Sequence, residues 1–226
     1  MRERGMIFNA EMVRAILDGR KTQTRRIVKG VPTSHDFHGW VLSSTSAKDE
    51  GKACWAIGKS PLLNSPIRIR CPFGEIGDRI WVRETWADVN HEGCPAVAYR
   101  ADSEVRDLHE DNGDEQDPNL EKYWFANWYP DLISGTEGKW TPSIHMPRWA
   151  SRITLEITGV RVERLNSISE EDAKDEGAPT ECCVIGDKHF LGFRSLWKSI
   201  YGEESWQANP WVWVIEFKRV EASDEQ

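Results

Sequence analysis

The chain has 226 residues, 39% of them hydrophobic and 29% charged, with a formal net charge of −8. That length builds a core without a disulfide or metal staple, and that balance belongs to a folded chain. The acidic total argues against a basic coat for long nucleic acid, no apolar run approaches the roughly 20 residues of a bilayer-crossing helix, and the first six residues lack the apolar stretch of a secretory leader, so a cytoplasmic protein with no membrane partner is expected.

Ile7 and Phe8 read as a short strand. Asn9 offers a helix N-cap, and Met12, Val13, Ile16 and Leu17 follow at helical spacing until Gly19 stops the helix. The next residues, Arg20-Lys21-Thr22-Gln23-Thr24-Arg25-Arg26, put four cations and two threonines on a polar loop. Residues 30–66 are rich in Gly, Ser, His and Lys without periodicity and read as an insertion. Ile80, Val82 and Trp86 alternate with polar positions, as in a half-buried strand. Residues 88–140 read as a second insertion, with a short strand at 97–100, a mobile acidic loop over 101–122 and an irregular aromatic stretch after it. Prolines punctuate the approach to Arg152–Arg164, which reads as two strands joined near Gly159. Ser169 and Asp172 resemble a capping box that opens a helix ending at Gly177. Residues 190–201 form an amphipathic helix, and Pro210–Phe217 is a final strand, apolar almost throughout and hence central. The tail, 221–226, is polar and flexible. Separated strands and short helices without βαβ alternation predict an α+β fold around a small, mostly antiparallel barrel.

The charge is uneven. Residues 1–30 hold eight Lys or Arg against three acids, and residues 100–121 hold nine acids against two arginines. A local basic patch on an acidic protein suits a confined anionic ligand. The five cysteines, at 54, 71, 94, 182 and 183, include no Cys-x-x-Cys pair and are expected as reduced thiols. Of the 12 tryptophans, Trp197 and Trp213 sit in apolar patterns and read as core. Trp81, Trp86, Trp149, Trp206 and Trp211 lie near the inferred rim, where stacking on a base is worth ~1–3 kcal/mol.

Lys21 and Thr24 lie three residues apart, a spacing that brings an amine near a hydroxyl on a tight turn. A lysine desolvated among Arg20, Arg25 and Arg26 loses proton affinity and becomes a base towards a hydroxyl. The alternative is that the four cations bind phosphate. On a polar loop, truncating Lys21 is expected to leave stability nearly unchanged.

The run Leu17-Asp-Gly-Arg-Lys-Thr-Gln-Thr-Arg-Arg26 resembles the signature of the ASCH domain, a member of the PUA-like superfamily; Gly19, Lys21 and Arg26 carry its pattern. The resemblance extends to Gly77-Asp78, to Ile168–Gly177 and to Trp213–Phe217. Ile7–Ala10, Trp81–Trp86 and Ile144–Arg152 are similar to the larger phage and prophage members. It implies one PUA-like domain over 1–220, a small mixed or antiparallel β-barrel with flanking short helices and the two insertions. Small bacterial members include an amidohydrolase that deacetylates N4-acetylcytidine through a lysine, a threonine and a glutamate. The matching positions are Lys21 as base, Thr24 as nucleophile and Glu176 to position Lys21 or handle protons at the leaving amine, with no metal and no cofactor. Arg26 would bind the ligand or hold the oxyanion, with Arg20, Glu84, Trp86 and Trp149 as further substrate-binding candidates and Glu84 as a rival carboxylate to Glu176. The resemblance thus implies an N4-acylcytidine amidohydrolase acting on a small nucleoside. A non-catalytic module for RNA or a modified base is the alternative, and a ribonuclease the third.

Overall fold

The computed structural model describes residues 1–58, 66–92, 94–108, 127–180 and 188–220. In chain order the strands are β1 (Glu3–Ile7), β2 (Gln23–Ile27), β3 (Asp36–Trp40), β4 (Ala53–Ala56), β5 (Ile67–Ile69), β6 (Arg79–Arg83), β7 (Trp86–His91), β8 (Cys94–Tyr99), β9 (Val105–Asp107), β10 (Asn127–Trp128), β11 (Thr154–Arg164) and β12 (Trp211–Val220). The helices are α1 (Ala10–Leu17), α2 (Tyr129–Ser134), α3 (Glu170–Asp175), α4 (Lys188–Tyr201) and α5 (Glu203–Gln207). The protein is α+β with mostly antiparallel pairing. The strand orders are linear, and no ring of strands closes among the described residues. No described helix is long and apolar enough to cross a membrane. Contacts divide the chain into two compact units, each discontinuous in sequence.

The first unit comprises Met1–Arg2, Gly19–Arg79 and Leu155–Arg219. Here β12 lies between β11 and β2. Its register sets Val212 against Ile27, Val214 against Arg25 and Glu216 against Gln23. Opposed residues share a face, and Val212 and Val214 are buried with Leu165, Phe193, Trp197 and Trp206 under the helices. The alternate residue Trp213 points the other way, its ring 5.9 Å from Trp40 and 5.8 Å from Trp55. β12 is therefore apolar on both faces because helices cover one and the β3-β4-β5 sheet covers the other.

One expectation needs correction in this unit, and the segment read as an insertion carries strands of its own. Residues 30–66 hold β3 and β4, pinned by an aromatic cluster of Phe37, Trp40 and Trp55. Their signal is cross-strand packing, which leaves no simple period in a glycine-rich segment. Residues 154–164 form one continuous strand rather than two. Gly159 marks a close approach, since a Cβ there would lie 2.5 Å from Glu216 Oε2.

The second unit comprises Glu3–Asp18, Ile80–Thr154 and Val220–Gln226. α1 starts where expected: Asn9 Oδ1 accepts from Met12 N at 2.8 Å, and Gly19 takes the left-handed φ of +71° just past its end. β7 and β8 pair as a hairpin with β9 and β10 at its flanks. Trp86, Val97, Tyr99, Leu108, Met146 and Ala150 form one core cluster of this unit. Two 3₁₀ turns follow Pro142 and Pro147. The stretch expected as an insertion, 88–140, thus carries much of a sheet and α2. Most of the acidic loop, Cys182, Cys183 and the tail at 221–226 lie outside the described residues.

Candidate functional site

Lys21 leaves the glycine stop of α1 and meets Glu176 in an antiparallel β-bridge. One residue on, Thr22 N donates to Asp175 O at 2.8 Å. The partner segment is set by α3, which Ser169 opens by accepting from Asp172 N at 3.0 Å and Gly177 closes at φ +71°. Glu176 therefore occupies the C-cap of α3 against the start of β2.

Across the bridge Lys21 Nζ donates to Glu176 Oε2 at 2.6 Å and to the Glu176 carbonyl at 2.8 Å. The lysine side chain is 0% exposed and the glutamate 3%. Burial holds the amine below the ordinary lysine range; Glu176 opposes that, and the charges of Arg26 and Arg25 reinforce it.

Residues 23 and 25 of β2 share the face that meets α3. Arg25 is buried and donates to Glu176 Oε1 at 3.2 Å and to Glu163 Oε2 at 3.2 Å, and lies 3.2 Å from Asp172 Oδ2. Its guanidinium stands 5.9 Å from the Phe193 ring. Gln23 Nε2 donates to Asp172 Oδ1 at 2.9 Å. Arg161 donates to the same oxygen at 2.7 Å and also bonds Glu163 and Glu216. This network borders a cavity of about 510 Å³ lined by Gln23, Thr158, Arg161, Asp172, Asp175 and Glu216, among others. Its lining carries three carboxylates against one guanidinium.

Thr24 is 1% exposed and stands opposite Ile215. Alternation along β2 sends Thr24 and Arg26 to the face away from Gln23 and Arg25. The Thr24 hydroxyl makes no hydrogen bond with Lys21 or Glu176. Arg26 is half-buried opposite Trp213, and Arg20 is exposed. The structure brings Lys21 and Glu176 together and turns Thr24 to the other face of β2, without a bond to either.

Glu84 and the two candidate tryptophans belong to the second unit. Glu84 is 2% exposed and gripped by Arg152 through both oxygens, at 3.0 and 2.9 Å. Arg152 also binds Asp102 at 2.8 Å and Glu104, and stacks 4.1 Å over Tyr99. The carboxylate beside Lys21 is Glu176, and Glu84 serves an arginine of its own unit. Trp86 is buried and meets Trp149 edge-on at 5.7 Å; Trp149 is 41% exposed.

Sequence reasoning missed Arg25, Gln23, Glu163, Asp172 and Arg161. A signal existed: polar residues at 21, 23 and 25 and again at 161 and 163 repeat with the strand period of two, which is unusual on a face that the neighbouring Val212 and Val214 mark as buried. Cys54, Cys71 and Cys94 are free thiols, and among the described residues no group of three His, Cys, Asp or Glu is arranged for a metal ion. Compared with known proteins, the chain matches no protein-family model, no curated protein and no solved structure.

Proposed function

We propose that the first unit is an amidohydrolase that removes an acyl group from the exocyclic amine of an N4-acylcytidine-type nucleoside. One observation carries the reading. A lysine with no solvent exposure lies 2.6 Å from a buried glutamate, at two of the positions that the ASCH resemblance matches to catalytic residues. A buried amine kept below its ordinary range gives up its proton more readily than a free lysine, which favours the neutral form a base needs.

In this reading the Thr24 oxygen attacks the acyl carbonyl and its proton passes to Lys21. The tetrahedral oxyanion collapses and breaks the bond to the cytosine N4. The departing amine takes a proton from the Lys21–Glu176 pair. Water then hydrolyses the acyl–Thr24 ester, releasing the carboxylic acid and restoring the hydroxyl. Thr24 faces away from the pair along β2, so the scheme requires its hydroxyl to reach the Lys21 amine when substrate binds. A PUA-like origin for the β11-β12-β2 sheet belongs to the same proposal.

The position of the Thr24 side chain favours a second reading, a non-catalytic site for a modified base or RNA, in which the buried pair only shapes the pocket. Purified protein incubated with N4-acetylcytidine decides between them. The expected result is release of cytidine and acetate, lost at least a thousandfold in Glu176→Gln and Thr24→Ala, with an acyl adduct on the Thr24 peptide after rapid quenching. Full turnover in Thr24→Ala would mean that water attacks directly. An inactive wild type that binds cytidine ligands would establish the binding module.

A further inference from the structure

We propose that Arg25 is the positioning residue of this site: its buried guanidinium takes Glu176 Oε1 while Lys21 takes Oε2, and it anchors to Glu163 and Asp172, so that it fixes which carboxylate oxygen faces the amine. The proposal rests on the amidohydrolase reading for its catalytic consequence, but its effect on Lys21 is measurable without turnover.

Three features single out Arg25 from the other cations of the basic run. It is buried along its whole side chain, so its interactions are unscreened by water. It reaches three carboxylates from three places in the chain, each at 3.2 Å, a task for a planar fork with several donors and beyond a single ammonium. Its Nε–H is buried without a hydrogen-bond partner, so the guanidinium is held by its two outer arms alone, and both arms are committed to the network that carries Glu176.

The consequence for Lys21 has one sign. With Arg25 present, Glu176 divides its charge between two cations, and a second positive charge stands near the amine. Without Arg25, Glu176 belongs to Lys21 alone, and Glu163 and Asp172 add uncompensated negative charge nearby. Each change makes Lys21 hold its proton more tightly. Arg25 therefore keeps the amine available as a base.

The test is an NMR titration of Lys21 in protein labelled with ¹³C at the lysine Cε, with the resonance assigned by its loss in Lys21→Arg. In the wild type the midpoint should lie below the free-lysine value of about 10.4. In Arg25→Gln it should rise by about one unit or more, and in Arg25→Lys, which keeps the charge, by less than half of that. On N4-acetylcytidine, Arg25→Lys should lower kcat about tenfold with KM within about twofold, because the fork is lost while binding groups remain. A wild-type midpoint at or above the free-lysine value overturns the proposal, and this arm stands even where Arg25→Gln fails to fold. An unchanged midpoint in folded Arg25→Gln also overturns it. Shifted midpoints with a wild type inactive on acylcytidines would sink the amidohydrolase reading and leave the control of Lys21 by Arg25 in place.

Discussion

Lys21 sits on no polar loop in the sense its sequence neighbours suggest. Its side chain has no contact with solvent, so truncation acts on stability as well as chemistry. Lys21→Ala leaves Glu176 buried with Arg25 as its remaining partner. Breaking a buried pair from one side costs about 3–5 kcal/mol, and Arg25 should keep the loss near the lower end. Urea denaturation should show it, and Lys21→Met/Glu176→Leu should recover most of it, because both charges then leave together. Lys21→Ala with wild-type stability would mean that the pair is solvated. Asp172 gives the acid side of the same network. Burial alone would raise its carboxyl, but the Gln23 amide and the Arg25 and Arg161 charges hold it below the ordinary aspartate range. A group lowered in this way lends stability above its unfolded pKa, about 3.9, and loses it as the pH falls through the folded value. Stability should therefore drop more steeply below about pH 4 in the wild type than in Asp172→Asn. Parallel acid profiles for the two proteins would remove Asp172 from the network's account.

At the scale of elements, α4 offers a contest between propensity and packing. Gly192 lies inside that helix, where replacing glycine by alanine usually gains about 1 kcal/mol. Here a Cβ would fall inside the van der Waals shell of the Pro179 carbonyl oxygen, and backbone cannot swing aside as a side-chain tip can. Gly192→Ala should destabilise by ~1–3 kcal/mol, readable as a lower melting temperature; a raised one would show that α4 slides freely. The start of α4 has an equally non-local cause. Glu170 Oε1 and Oε2 accept from His189 N at 2.9 Å and Phe190 N at 2.7 Å, so one helix caps the next. The sequence places Glu170 in the first turn of its own helix and carries no local sign that it caps another. What it made legible were the local devices: Asn9 and Ser169 as caps, Gly19 and Gly177 as stops, and β12 as a central strand. What it hid was set by distant partners. Phe37, Trp40 and Trp55 make strands only through one another and Trp213, Gly159 is explained by Glu216, and Arg25 looked like one more surface cation until Glu163, Asp172 and Glu176 surrounded it.

For the whole molecule, the decisive fact is how the chain is shared. The second unit draws on residues 3–18 and 80–154, so a fragment cut at the apparent insertion boundaries lacks part of its core. Met6, Phe8, Val13 and Ile16 are all buried and come from its first segment. A fragment of residues 80–154 expressed alone should lack dispersed amide NMR resonances and a cooperative melt. A folded fragment would show that the 3–18 segment is dispensable to this unit. The formal charge of −8 bears on the choice of ligand at this scale. Polymer binding depends on neutralised phosphates, and two of the four cations in the basic run, Lys21 and Arg25, are spent inside the protein on carboxylates.

The bridge between Lys21 and Glu176 joins main chain as well as side chain. Two residues 155 positions apart are thus aligned by backbone atoms that no substitution at either site removes. The site behaves as a socket whose fitting is exchangeable. Reversing the charges, or seating a thiol and an imidazole in place of amine and carboxylate, would put new chemistry at a spacing already fixed by the fold, which makes this clasp a ready starting point for redesign.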